Sequence, residues 1–331
     1  MVLPPLVVDS IIYSSAIALL GTGLTLAYMT TKVPNFAHGT VAMTGLYLCL
    51  TSVRVWHSNP YFFLPVAFLV GGLSGLCLYL LVLKPLIGRG ASLVVLMIAT
   101  IGFDLFLFSL LNIYADYLSN AFGITSRSFF LRDADFRISQ AGIFVVTPPL
   151  PGILIVSLIS IVLLTGFLHL GLTRTKFGVA MRATVENPAL AGVVGVNVNL
   201  VYTISWFLSG GLAGIAGMFV GLFLAGNTDL GNRLIPVIFA ASIVGGLGNV
   251  YGALLGGFTV GLSEILGTFQ LQSLFPGSNL LVYQPLVPIA FIVITLLLAP
   301  SGLTGVDRKL LLIRLRAVFS WLRSIVHGHG R

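Results

Sequence analysis

Nine apolar runs divide this chain, near residues 10–31, 38–53, 61–83, 91–111, 149–170, 200–224, 234–247, 250–269 and 285–303, with short polar breaks between them. A bilayer core needs roughly 20 apolar residues per helical crossing. Lipid offers the backbone no hydrogen-bond partner, so a crossing segment is a helix or part of a closed barrel. These runs are continuous rather than alternating, which selects helices. The second and seventh are short for a full crossing. Composition agrees: of 331 residues, 57% are hydrophobic and 8% charged, with mean hydropathy +1.06, whereas a soluble domain carries roughly 25% charged residues. A soluble enzyme or a nucleic-acid-binding domain is excluded. The expected fold is an all-α polytopic membrane protein of about eight to ten transmembrane helices, some broken. It forms one membrane domain over residues 1–306, followed by a basic tail, 307–331.

The net charge of +8 is spread over short loops and the tail, a pattern that orients a membrane protein rather than one that binds phosphate, so no nucleic-acid partner is expected. Lys32, Lys84 with Arg89, the segment 171–199 with Arg174, Lys176 and Arg182, and the tail with Arg308, Lys309, Arg314, Arg316 and Arg323 mark the cytoplasmic side. Nine crossings then leave the N-terminus outside and the C-terminus inside. The loop 112–148 falls outside despite Arg127, Arg132 and Arg137, which Asp116, Asp133 and Asp135 partly offset. Within it, Ser128–Leu131 and Phe136–Val146 flank Asp133-Ala134-Asp135 and predict a short hairpin, either a docking surface for an external partner or a solvated connector. Cys49 and Cys77 fall inside apolar runs and read as small buried hydrophobes. No basic residue precedes the first run and Asp9 adjoins it, so that run is expected to stay in the mature protein.

Glycine, at 38 residues, recurs at spacing four inside the runs: Gly71/Gly75, Gly210/Gly214, Gly217/Gly221, Gly252/Gly256 and Gly257/Gly261. That spacing puts both glycines on one helix face, where backbones approach closely in lipid. No HExxH, GxSxG or CxxC occurs and no Gly-Lys pair, so the phosphate-binding loop of ATPases is absent. No catalytic residue, metal site or cofactor is expected on this chain. Uphill transport would draw on a separate ATPase or an ion gradient. Asp104 and Glu264 are the two acids inside apolar runs, and they would either serve ion coupling or be held structurally.

Three constellations stand out. In K-V-P-N-F-A-H-G, residues 32–39, Pro34 disfavours helix at Val33, Gly39 relaxes the backbone, and Asn35 and His38 bring polar groups. The segment is either a broken helix lining a cavity or an ordinary turn at the inner face. Residues 174–197 read as two short helices with a corner. Asn187 is the cap, Pro188 the first helical residue and Gly195 the end, and Ala189, Leu190, Val193 and Val194 form an apolar face. Exposed, that face fits a protein partner; folded back, it packs on the bundle. Ile243–Gly252, IVGGLGNVYG, is a tight turn or a pore-lining interruption.

At these places the chain resembles the membrane permease subunits of branched-chain amino acid ABC importers. The matching strings are GLTLAYMTTKVPNFAHGTVAMTGLYL, MRATVENPALAGVVGVNVNLVYTISWFLSGGLAGIAG and IVGGLGNVYGALLGGFTVGLSEIL, closed by APSGLTG. The resemblance implies a pore formed with a second homologous permease, two cytoplasmic ATPases as motor, and an external substrate-binding protein. It implies coupling to the ATPase through residues 178–195, with Arg182, Glu186, Asn187, Pro188, Leu190, Gly192 and Gly195. It puts Asn35, Phe36, Ala37, His38 and Gly39 along the translocation path. Asp104 and Glu264 join that path from their position inside the membrane. The cargo implied is leucine, isoleucine or valine; the family also moves urea and short amides. An ion-coupled transporter and a membrane-embedded structural or receptor subunit are the other classes. Beyond the match, leucines and arginines alternate after Asp307, as in a helix lying on the anionic inner membrane surface, or in a disordered basic tail.

Overall fold

The computed structural model describes residues 4–141, 144–275 and 280–305; the basic tail lies outside them. The elements are α1 (Pro5–Thr31), α2 (His38–Arg54), α3 (Leu64–Cys77), α4 (Lys84–Gly88), α5 (Leu93–Phe122), β1 (Arg137–Ala141), β2 (Phe144–Pro151), α6 (Gly152–Arg174), α7 (Lys176–Glu186), α8 (Pro188–Val193), α9 (Val198–Phe223), α10 (Leu230–Gly245), α11 (Val250–Leu262), α12 (Thr268–Leu274) and α13 (Leu286–Leu298). A π-helical turn, Leu78–Leu83, joins α3 to α4, and another, Ser263–Gly267, joins α11 to α12. Each of the nine apolar runs is mostly helical, and among the described residues seven helices are long and apolar enough to cross a membrane. The chain is a multi-pass membrane protein. The two short runs, 38–53 and 234–247, fall in α2 and α10.

Burial sorts the helices. α1, α2 and α9 are enclosed almost throughout, whereas α5, α6 and α13 turn large apolar side chains such as Leu105, Val162 and Leu297 outward, where lipid accepts them. The paired glycines set the central contacts. A Cβ on Gly71 would lie 2.3 Å from the Gly210 carbonyl oxygen, and one on Gly257 would lie 2.3 Å from the Ala18 Cα. So α3 packs on α9 as α11 packs on α1, backbone to backbone. The two triplets, α1–α3 and α9–α11, are therefore built alike but run with opposite polarity: α1 and α9 lie antiparallel, with Tyr13 beside Phe223 and Gly23 beside Ser209. Inverted repeats of this kind recur in transporters.

The hairpin end of the bundle gathers Asp9, Arg54, Tyr61 and the segment 123–151. Asp135 accepts the Tyr61 hydroxyl at 2.5 Å and the Ile153 amide at 3.1 Å, capping α6 from outside the helix. Burial raises its carboxyl above the usual range. Arg127 forks onto Asp116 at 2.8 Å through both contacts, whereas Arg132 pairs with Asp9 of α1, so of the three acids expected to offset the arginines of 112–148 Asp116 does so by direct pairing. Two expectations are corrected here. Residues 112–122 are helix, because nothing breaks α5 until Gly123 takes φ +66. The hairpin pairs β1 with β2, both after Asp135, while Asp133 and Ala134 sit in a helical turn and Phe129 bridges to Gly226 instead. Cys49 is buried as expected, but Cys77 is exposed on the outer side of α3.

Candidate functional site

The opposite end carries the corner. Thr175 caps α7 through the Gly178 amide (3.3 Å), and the Gly178 Cα lies so close to Leu172 that a Cβ would come within 2.0 Å of its carbonyl oxygen. Arg182 also bonds that carbonyl, so α7 is fastened to the end of α6. Asn187 then caps α8 through the Leu190 amide at 3.0 Å, Pro188 opens the helix, and Gly195 takes φ +90 just past it. Ala191 packs inward; Leu190, Val193 and Val194 stand in the open. Glu186 and Arg182 border a cavity of about 360 Å³ that reaches Met29 of α1 and the turn Gly248–Asn249. That turn is the tight one of the two readings. Gly246 has φ +105, Asn249 caps α11 through the Tyr251 amide at 3.0 Å, and Thr304 of the APSGLTG segment donates to the Gly245 carbonyl at 3.0 Å.

Inside the bundle the chain breaks twice. After α1, Lys32 closes the helix in the left-handed region at φ 58. Asn35 Oδ1 then accepts the Ala37 amide at 3.1 Å, and the His38 amide reaches the Asn35 carbonyl at 3.4 Å. After α9, Asn227 Oδ1 accepts the Asp229 amide at 3.0 Å, and the Leu230 amide reaches the Asn227 carbonyl at 3.4 Å. The first break reads N-F-A-H-G and the second N-T-D-L-G. The glycines that close them, Gly39 and Gly231, touch: a Cβ on Gly39 would fall 2.2 Å from the Gly231 carbonyl oxygen. Phe36 and Phe239 stack alongside with ring centres 5.2 Å apart. Both helices thus start partway through the bundle: α2 packs Gly45 on Gly214 and Ala42 against Gly217, well inside α9.

The residues singled out from the sequence divide between these places. His38 is fully enclosed, its Nε2 bonding the Leu20 carbonyl at 3.0 Å while Nδ1 has no partner. Asn35, Ala37 and Gly39 are likewise buried, and Phe36 is partly open. Asp104 comes to the same place from α5. Thr100, one turn before it, accepts the Phe36 amide at 3.3 Å, and the Thr40 hydroxyl sits beside the Asp104 carboxyl, whose Oδ1 has no partner. Glu264 lies elsewhere, on the π-helical turn after α11, accepting Tyr13 at 2.9 Å and Gln284 at 3.5 Å. Sequence reading missed the second break. Its signal was the repeated spacing of Asn and Gly, hidden where Asn232 and Arg233 interrupt the apolar run.

The fold is a multi-pass membrane bundle with two backbone breaks between helices near its centre and an apolar corner at one end. The family described as "Branched-chain amino acid transport system / permease component" matches residues 6–298. The chain belongs to that family. It is 45% identical over 300 residues to the probable branched-chain amino acid transport permease protein LivH of Methanocaldococcus jannaschii, covering 91% of this chain and 92% of that one. It is 24% identical over 306 residues to the high-affinity branched-chain amino acid transport system permease protein LivH of Escherichia coli (90% and 94% covered). It is 25% identical over 307 residues to BraD of Pseudomonas aeruginosa, described in the same words (90% and 94%). Among solved structures it is similar to PsaBC from Streptococcus pneumoniae in complex with Fab, with TM-score 0.46, 14% identity, and 90% and 93% covered.

Proposed function

We propose that this chain is the conduit subunit of an ABC importer for branched-chain amino acids, with the corner α7–α8 seated on a cytoplasmic ATPase and the hairpin end facing outside. A second homologous permease completes the pore, two ATPases drive it, and an external binding protein delivers the amino acid. The path runs beside the first break, Asn35 to Gly39, with Asp104 behind it; Phe36 is the member with open surface. Glu264, already held by Tyr13 and Gln284, fastens α1 to the α11–α12 junction. The observation that carries the reading is the corner. Leu190, Val193 and Val194 form an exposed apolar face on a helix fixed at both ends, in a chain with no phosphate-binding loop of its own.

The test is Glu186→Lys with Gly192→Trp in the assembled transporter. Nothing lies within 4 Å of a Cβ at Gly192, so the bulk strains the docking partner rather than this chain. ATP hydrolysis is expected to continue without uptake, at unchanged amounts of permease in the membrane. Normal coupling would remove the corner from the account. An ion-coupled transporter behaves differently. There, Asp104→Asn with Glu264→Gln would abolish uptake while a catalytically dead partner ATPase left it intact.

A further inference from the structure

The second break differs from the first in what it shows to its surroundings. On the first turns of α10, Asp229, Asn232, Arg233 and Pro236 follow one another at helical spacing along one face. The Arg233 side chain is 69% exposed and Asp229 51%, and their guanidinium and carboxylate meet at 2.9 Å. Asn232 is exposed beside them, with its amide 3.5 Å from Asp229. Pro236 has no amide hydrogen to return to the Asn232 carbonyl, so that oxygen loses its helical donor on the same face.

Position makes this face unusual. Gly231 touches Gly39 and Met43, and α2 at that level is packed against the interior of α9. The charged pair therefore lies at membrane depth. A guanidinium there is costly unless water or protein receives it, and no helix of the described residues covers it. The choice of residue also runs against local preference. A cation in the first turn of a helix opposes the macrodipole, which the exposed pair with Asp229 offsets only in part.

We propose that Asp229, Asn232 and Arg233 form a contact station for the charged ends of an α-amino acid passing through the permease. Arg233 offers a planar two-pronged donor to a carboxylate. Asp229 and the free Asn232 carbonyl offer acceptors to an ammonium group. At rest the Arg233–Asp229 pair satisfies itself, and a zwitterion replaces both halves of that pair without leaving either charge alone. Both breaks then serve one path, since their glycines touch: the buried one is its wall and the polar one its lining. The station rests on the proposed transport of an amino acid, and it is tested separately from that reading.

In a Cys77→Ser background, Arg233→Cys and Leu105→Cys are compared in the complete transporter in proteoliposomes, using a charged, membrane-impermeant thiol reagent. Leu105 is 60% exposed on the outer side of α5 and serves as the lipid-facing reference. Only a thiolate in water reacts, so Arg233→Cys is expected to be modified at least about tenfold faster. Equal rates, or disulfide linkage between two permeases at this position, would show the face covered by lipid or protein and overturn the station. Uptake supplies the second reading. Arg233→Gln is expected to lower leucine transport about tenfold or more and Arg233→Lys to restore part of it. Unchanged uptake in Arg233→Gln would overturn the proposal even if the thiol reacts. If the unsubstituted transporter carries no branched-chain amino acid, the functional reading fails instead, and labelling alone still reports whether the face is wet.

Discussion

At residues 32–39 and again at 224–233 the chain bends its backbone in the same way and hangs opposite side chains on it. In both, an asparagine carbonyl oxygen of the side chain catches the amide two residues on, a helix begins one residue later, and a glycine in its first turn lets the two helices cross. The first turn, Asn35 to Gly39, carries no Asp, Glu, Lys or Arg and is largely enclosed: His38 is fully buried and Asn35 is 2% exposed, with the Asp104 carboxyl nearby and Lys32 exposed at the start of the break. Around the second, Asp229 and Arg233 face outward. The geometry of a broken helix comes from asparagine and glycine spacing. Whether the break is a packing joint or a wet surface comes from the residues between and after them.

This comparison is open to attack in order of expected size. Gly39→Ala places a methyl group against backbone and is expected to cost about 3 kcal/mol, at the upper end of the range for overpacking, read as a lowered thermal midpoint in detergent. Gly231→Ala has its nearest contacts at 2.8 Å and a movable Met43 side chain, so it is expected to cost less, roughly 1–2 kcal/mol. Equal losses would mean that the crossing is looser than the geometry implies. Asn35→Ala and Asn227→Ala remove the same turn bond, and each is expected to cost about 1 kcal/mol. A neutral effect at either would separate the two breaks. His38→Leu removes one bond to a carbonyl but also an unpartnered ring nitrogen, so a loss below about 1 kcal/mol is expected. A larger loss would make the imidazole a structural pin. Asp229→Asn breaks only an exposed pair of helix neighbours, so its stability is expected to change by no more than about 0.5 kcal/mol.

The membrane helices were legible because lipid demands long apolar runs, and even the shortness of 38–53 and 234–247 was visible before its reason was. The corner was legible too, since Asn187, Pro188 and Gly195 act on their own neighbours. What escaped was tertiary or polar. The meeting of Gly39 with Gly231 joins residues far apart in the chain. The first turn of α10 was passed over because Asn232 and Arg233 broke the apolar pattern used to find it. α5 continues past its apolar run because Leu111, Ala115 and Leu118 extend its buried stripe against the bundle up to Gly123. The hairpin register depended on pairing that Asp133 and Asp135 did not fix.

The central claim is that the apolar corner meets the motor inside the cell, and Val193, 84% exposed on α8, reports on it most directly. With Val193→Cys in the Cys77→Ser background, an impermeant thiol reagent is expected to label inside-out vesicles freed of the ATPase, to be blocked when the ATPase is rebound, and to leave intact cells untouched. Labelling from outside intact cells would put the corner on the wrong face of the membrane and contradict the account.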